Sequence, residues 1–535
     1  MISFRRFTQL LFLLLFLGLL TWTSSPMAPW LGVEALVALD PLIALGVLLS
    51  TGVIIPGLTA LAILLAGTLL LGRFFCGYLC PLGTTFDLTR LATAPKKPSP
   101  PSWTPRPAWR KVKVVLLLIM AVSALFSLNL VHWGSPLSLA ARLYALVIGP
   151  GLEFLLQHTA RGLESAADLA GLDLTLPFGQ PSRYATLVFL VPFFVLLLSL
   201  DRLIPRFWCR YLCPSGAVFA LLGHRPVLKR QVAESCIQCG LCQSRCPMDA
   251  IPEDPCETLN GECIVCQTCV RVCPVQAVSF SRPGSRHRPL FLPGRRSAMA
   301  AIGAGLGLAF LGRTGLGEYW ARSDKGSIMP EQLIRPPGSV PETVFQNLCI
   351  RCGLCMKVCP TNMLQPAWDE NGISGVFSPL AVARRGPCEP GCTACGRVCP
   401  TGAIRSLDPA EKMWAKMGTA VIDTDTCLAW AHDQSCLICD EACPYGAIRL
   451  KQVQSQEVAL PVVRFEQCTG CGFCEHACPV QAKPSIRVAP MWQMRLETGS
   501  YELEGRRLGM DISRGGKETL EAEEPSQGLP PGFTN

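Results

Sequence analysis

Uncharged apolar runs extend from Phe7 to Trp22, from Val53 to Leu71, from Val114 to Val131 and from Tyr184 to Leu200. Each approaches the roughly 20 residues a helix needs to cross about 30 Å of hydrocarbon, so four spanning helices are predicted. Two semi-apolar stretches, 33–50 and 137–156, are interrupted by Asp40-Pro41, by Arg142 and by Gly149-Pro150-Gly151. Such breaks suit interfacial or re-entrant segments better than spans, and a span in either would change the topology. After residue 223 the long apolar runs give way to short segments punctuated by cysteine. The pattern predicts an α-helical membrane domain over 1–223 and small cysteine-rich domains over 224–280 and 345–490. Between them, 281–344 reads as a linker with one apolar segment, and the Gly-, Glu- and Pro-rich tail, 491–535, as poorly ordered.

Charge orients the helices. Arg90, Lys96, Lys97, Arg106, Arg110, Lys111 and Lys113 lie between the second and third runs with no acid after Asp87, whereas 25–52 holds Glu34 and Asp40 and no base. Short loops rich in Lys and Arg stay in the cytoplasm. Arg5 and Arg6 agree, so the N-terminus, the 73–113 loop and the segment after Leu200 are expected inside a bacterial inner membrane. The formal charge of +9 then reads as a topology signal, and no nucleic-acid partner is expected.

Composition adds the chemistry. The chain has 535 residues, of which 50% are hydrophobic and 16% charged, too apolar for an ordinary soluble enzyme or a disordered chain. Its 29 cysteines are too many for a core and too dilute for a small disulfide scaffold. Four of them sit in a repeat: Arg73-Phe-Phe-Cys76-Gly-Tyr-Leu-Cys80-Pro81-Leu-Gly83 and Arg206-Phe-Trp-Cys209-Arg-Tyr-Leu-Cys213-Pro214-Ser-Gly216 agree at eight of eleven positions. The membrane domain is therefore read as an internal duplication, and duplicated units commonly frame a site at their interface. Buried packing thiols, a metal or iron–sulfur site, and a redox-active thiol set all remain open for Cys76, Cys80, Cys209 and Cys213.

Farther along the spacing becomes diagnostic. Cys236, Cys239, Cys242, Cys246-Pro247 and Cys263, Cys266, Cys269, Cys273-Pro274 each read C-x2-C-x2-C-x3-C-P. In that run three thiolates hold one 4Fe-4S cluster and the fourth crosses to the other. The expected sets are Cys236, Cys239, Cys242 with Cys273, and Cys263, Cys266, Cys269 with Cys246. Structural zinc also uses short cysteine spacings, but the tandem repeat with proline after each fourth cysteine favours clusters. Four more quartets follow: Cys349, Cys352, Cys355, Cys359; Cys388, Cys392, Cys395, Cys399; Cys427, Cys436, Cys439, Cys443; and Cys468, Cys471, Cys474, Cys478. Adjacent and nested pairing both satisfy the cysteine arithmetic; the irregular spacing of the middle two favours nesting, first with fourth. Six clusters in α+β, bacterial-ferredoxin-like domains are expected, leaving Cys256 as a free thiol.

Between the two cysteine-rich regions, 281–297 carries no acid and ends Gly294-Arg295-Arg296-Ser297 before the apolar run Ala298–Leu311. A twin arginine ahead of a weakly hydrophobic segment is a bacterial export signal, which predicts the 345–490 domain on the periplasmic side. The glycines of 303–307 have the wrong spacing for a dinucleotide loop.

Together these motifs resemble two ferredoxin-type families joined in one chain. Residues 1–280, with Cys76-x3-Cys80-Pro81, Cys209-x3-Cys213-Pro214 and the two-cluster module, resemble the NapH-type membrane proteins. Residues from 291 to 490, with Arg295-Arg296 and four quartets, resemble the NapG-type and MauM-type exported ferredoxins. The resemblance implies quinol oxidation at the membrane and electron delivery to a periplasmic reductase, with membrane lipid, the quinone pool and a periplasmic redox protein as partners. Quinol oxidation releases protons, and Asp40 and His132, both placed near the outer face, are the candidate bases. The alternatives are an electron wire from a cytoplasmic donor without quinone, and a copper-reducing maturation factor.

Overall fold

A computed structural model describes residues 4–23, 32–55, 57–93, 107–169, 182–184, 186–282, 292–313, 333–368, 375–452, 457–481 and 483–512. The chain divides into two compact units, 1–381 with 394–406, and 382–393 with the residues from 407 onward. The expected 345–490 domain is therefore split. Segment 394–406 stays with the first unit because Ser339 bridges Ile404 and the Val340 and Arg405 amides bond the Ala403 and Gly338 carbonyls.

The first unit is built on helices. Those at the four apolar runs are Phe4–Trp22, Leu58–Leu71, Val112–Leu125 and Leu187–Leu203. Among the described residues, only Phe4–Trp22 and the 33-residue Pro136–Asp168 are long and apolar enough to cross a membrane. The stretch 137–156, expected as a broken interfacial segment, is thus part of one long helix. Its Gly-Pro-Gly is absorbed because a π-helical turn, Leu143–Ile148, precedes it, and wide turns of this kind insert into α-helices without ending them. Stretch 33–50 does break, into Val33–Val37 and Pro41–Thr51, where Asp40 caps the second helix through the Leu42 amide at 3.0 Å. The segment after the twin arginine forms a helix, Arg295–Arg313, packed on Val112–Leu125. Gly305 lets the backbones approach: a Cβ there would stand 2.8 Å from Val122 Cβ, the small-residue packing found between membrane helices.

Helices Val112–Leu125 and Leu187–Leu203 run between two sets of ferredoxin loops. At one end Lys113 bonds Glu262 and Arg210 bonds the Pro247 carbonyl. At the other, Asn129 bonds the Asn347 carbonyl and the Tyr184 hydroxyl bonds that of Met356. With 14 and 17 residues, these helices are about 21 and 25 Å long at 1.5 Å per residue.

The small domains follow a shared plan. Antiparallel β1 (Lys229–Val232) and β2 (Val278–Ser281) close the module around the first two quartets. Strands β3 (Leu364–Pro366) and β4 (Pro379–Ala381) follow the third quartet. In the second unit β5 (Thr419–Ile422) pairs with β8 (Ile486–Ala489), and β6 (Ile448–Lys451) with β7 (Leu460–Val463). The tail is ordered farther than its composition suggests, since the helix Tyr501–Arg507 packs into a core of Leu407, Trp414, Met494 and Met510; residues 513–535 lie outside the described residues.

Candidate functional site

Four of the six quartets bend the chain in the same places. The residue before the second cysteine is left-handed at Gln238, Val265, Arg351 and Gly470, and the residue after it at Gly240, Gln267, Gly353 and Gly472. Left-handed backbone on both sides turns the loop around its thiols, at a cost for non-glycine residues. A third such position falls three residues after the fourth cysteine, at Asp249, Gln276, Asn362, Gly402 and Gly446. That turn aims an amide back at the sulfur: Ala250, Ala277 and Ala447 donate to Cys246, Cys273 and Cys443 Sγ, each at 3.3 Å, and Ile404 to Cys399 Sγ at 3.4 Å.

The thiols gather in crossed sets. Cys246 lines one cavity with Cys263, Cys266 and Cys269. Cys443 lines another with Cys468, Cys471 and Cys474, and Cys478 a third with Cys427, Cys436 and Cys439. In the first unit Cys399 lies within electrostatic reach of Cys349, Cys352 and Cys355. The nested pairing expected from the spacing is therefore replaced by adjacent pairing. Loop length misled because x3 and x8 openings lengthen the approach to a thiol without changing which strands flank its quartet.

These cavities fit clusters. None of the 29 cysteines forms a disulfide. Burial, then the neighbouring Cys436 and Cys427 thiols, push the Cys439 thiol up to about 12, so an iron centre is what would hold such sulfurs ionised. Cys242 Sγ also receives a 3.3 Å hydrogen bond from Arg230. Cys256 is exposed.

Models of 4Fe-4S binding domains match 53–100 and 183–232, 231–251 and 342–365, and 260–276, and a 4Fe-4S dicluster domain matches 434–482. The chain is 36% identical over 202 residues to the methylamine utilization ferredoxin-type protein MauM of Methylophilus methylotrophus, covering 36% of this chain and 84% of that protein. MauM of Paracoccus denitrificans is 38% identical over 203 residues, 37% of this chain and 87% of the relative. This chain belongs to the MauM ferredoxin-type family. The ferredoxin-type protein NapG of Escherichia coli is 34% identical over 178 residues, 31% of this chain and 75% of its own length. The protein is thus an iron–sulfur electron-transfer protein with multiple 4Fe-4S domains.

The remaining expected residues fall at the helix ends. Asp40 is fully buried, and beyond capping Leu42 its carboxylate accepts from Ser135 at 2.6 Å and Ser215 at 2.7 Å. Those bonds give it a structural role, tying the helix Pro41–Thr51 to the residue that follows Cys213-Pro214. His132 is buried with Nδ1 2.6 Å from Arg351 and Nε2 without a partner. Sequence reading missed Glu262, which is buried and joins Arg73 at 2.8 Å and Lys113 at 2.5 Å; an acid just before Cys263, in a loop beside a basic membrane mouth, was the available signal.

Proposed function

We propose that this chain is a membrane-embedded electron carrier of the bacterial inner membrane, joining a NapH-type membrane half to its MauM-type ferredoxin half. It takes electrons from quinol and delivers them one at a time to a periplasmic acceptor. The observation that carries this reading is the two-ended docking of helices Val112–Leu125 and Leu187–Leu203 on separate ferredoxin loops. Exposed apolar side chains on the helices, among them Ile63, Leu70, Val188 and Leu196, support a lipid surround. The crossed thiol sets are the ligands of the 4Fe-4S clusters, which supply one-electron chemistry that a two-electron quinol requires. The chain's own residues position those centres: Arg210 and Tyr78 hold the Pro247 and Val265 carbonyls, and Arg142 holds the Arg351 carbonyl at 2.9 Å. His132 accepts from Arg351 at Nδ1, which leaves the proton of its neutral ring on the unpartnered Nε2.

The same docking favours a second reading, a wire fed by a cytoplasmic ferredoxin without quinone. Anaerobic membranes enriched in the protein separate the two. Quinol is expected to bleach the cluster absorbance within the mixing experiment; reduction by a low-potential ferredoxin alone, with quinol inert, rejects the quinol reading and leaves the wire.

A further inference from the structure

The two Cys-x3-Cys-Pro segments are matched separately as 4Fe-4S binding domains, yet each brings only two thiols and a cluster of this kind takes four. We propose that Cys76, Cys80, Cys209 and Cys213 together hold one further iron–sulfur cluster, shared between the halves of the membrane repeat. This rests on the reading of the chain as a cluster-based electron carrier.

Thiols of both halves lie within electrostatic reach of one another: Cys76 and Cys209 act on Cys80 and equally on Cys213. The repeat also exchanges arginines. Arg73, three residues before Cys76, reaches the Cys209 carbonyl at 3.4 Å, and Arg206, three before Cys209, reaches the Cys76 carbonyl at 2.8 Å. Each guanidinium passes over the other half's glycine, so that a Cβ at Gly216 would meet Arg73 at 2.7 Å and one at Gly83 would meet Arg206 at 3.6 Å. That close approach accounts for Gly216; at Gly83 the guanidinium contact is an ordinary one and the tighter neighbour is the Cys76 carbonyl at 3.2 Å. Both arginines are fully buried.

The second cysteine of each half adds a helix terminus. Cys80 and Cys213 immediately precede the helices Pro81–Thr93 and Pro214–Leu222, and their sulfurs accept from the Gly83 amide at 3.4 Å and the Gly216 amide at 3.2 Å. Two buried arginines, each also paired with a carboxylate, Arg73 with Glu262 and Arg206 with Asp87, and two helix N-termini surround the thiols.

The position suits a relay. Arg73 bonds Glu262 beside Cys263, and Gly77 lies against the Ile264 carbonyl, which places the site next to the cavity of Cys246, Cys263, Cys266 and Cys269. On its other side Ser215 leads through Asp40 and Ser135 to the segment of His132, which contacts Arg351 between Cys349 and Cys352. A cluster held by these four thiols would supply one-electron transfer between the two neighbouring sets of thiols.

Iron content and Mössbauer spectra of the anaerobically prepared full chain test this. Six quartet clusters account for about 24 iron atoms; the shared centre adds about two as 2Fe-2S or about four as 4Fe-4S. The double variant C76S/C80S is expected to lose that increment, C209S/C213S to lose the same increment, and the quadruple variant to lose no more. Additive losses, or unchanged iron in both double variants, overturn the proposal. Should those variants fail to accumulate, a wild-type content of about 24 overturns it and a higher content supports it. The C246S variant keeps the readings apart, since it removes a quartet cluster and leaves the membrane increment; loss of neither in C246S fails the quartet reading alone.

Discussion

The module of residues 229–281 and that of residues 419–489 share a plan of strand, quartet, quartet, strand, but they are stabilised by different means. The second has a complete β6–β7 pair between its quartets and an added core around Trp414 and Tyr501. In the first, the Leu259 amide bonding the Ala250 carbonyl at 2.8 Å stands where that strand pair would be. What replaces the strands is the helical part of the first unit: Glu262 meets Arg73 and Lys113, Arg110 meets Asp249, and Tyr78 donates to the Val265 carbonyl. A module that gives up internal strands to a foreign surface is docked as a condition of its fold, and its clusters are thereby kept in fixed relation to the helices. The other module carries its own scaffold.

Glu262→Ala should break this contrast most strongly. It leaves Arg73 and Lys113 buried without their carboxylate, and losing one partner of a buried ionic group costs about 3–5 kcal/mol. Denaturant-induced bleaching should then begin at lower concentration for the first module's clusters and stay unchanged for those of residues 419–489; a uniform shift would show that the two modules unfold together. The reciprocal change is Tyr501→Phe. Tyr501 is fully buried and its hydroxyl accepts from the Leu496 amide at 3.2 Å, so removing it should cost about 1–3 kcal/mol for the unsatisfied donor. This loss should appear in the second unit alone, read by limited proteolysis of residues 407–512.

The same contrast explains what was legible beforehand. The quartets were, because C-x2-C-x2-C-x3-C-P sets a local turn that needs no distant partner; the Ala that follows five of the six fourth cysteines by four residues, with Met363 in its place after Cys359, was an unused part of that signal. Pairing was not, because Cys399 joins Cys349, Cys352 and Cys355 through tertiary packing that loop lengths do not encode. Asp40 was a candidate base because it lies near the expected outer face; that its carboxylate accepts from Ser135 and Ser215 as well as from Leu42 depends on residues far from it in the chain. The duplication was plain in the residues, whereas the exchange of Arg73 and Arg206 between the halves required their carbonyl partners. The helix Pro136–Asp168 was hidden by Gly149-Pro150-Gly151, whose disruption depends on the turn before it.

The smallest expected effect concerns the turn after the fourth cysteine, where the modules use different residues for one conformation. Gln276 has φ 51° and bonds the Cys273 carbonyl at 3.4 Å; Gly446 has φ 59° and bonds the Cys443 carbonyl at 3.3 Å. Left-handed backbone costs a residue with a side chain about 1–2 kcal/mol, while glycine gives up about 0.5–1 kcal/mol through the entropy of its unfolded chain. Gly446→Gln should therefore destabilise the second module by about 1 kcal/mol, and Gln276→Gly should leave the first within about 0.5 kcal/mol of the parent because Gln276 is exposed and loses little packing. Midpoints of cluster bleaching in denaturant measure both. If Gln276→Gly stabilises its module by much more than Gly446→Gln destabilises the other, the first module holds strain that docking imposes, and the asymmetry between the two modules extends into their cysteine loops.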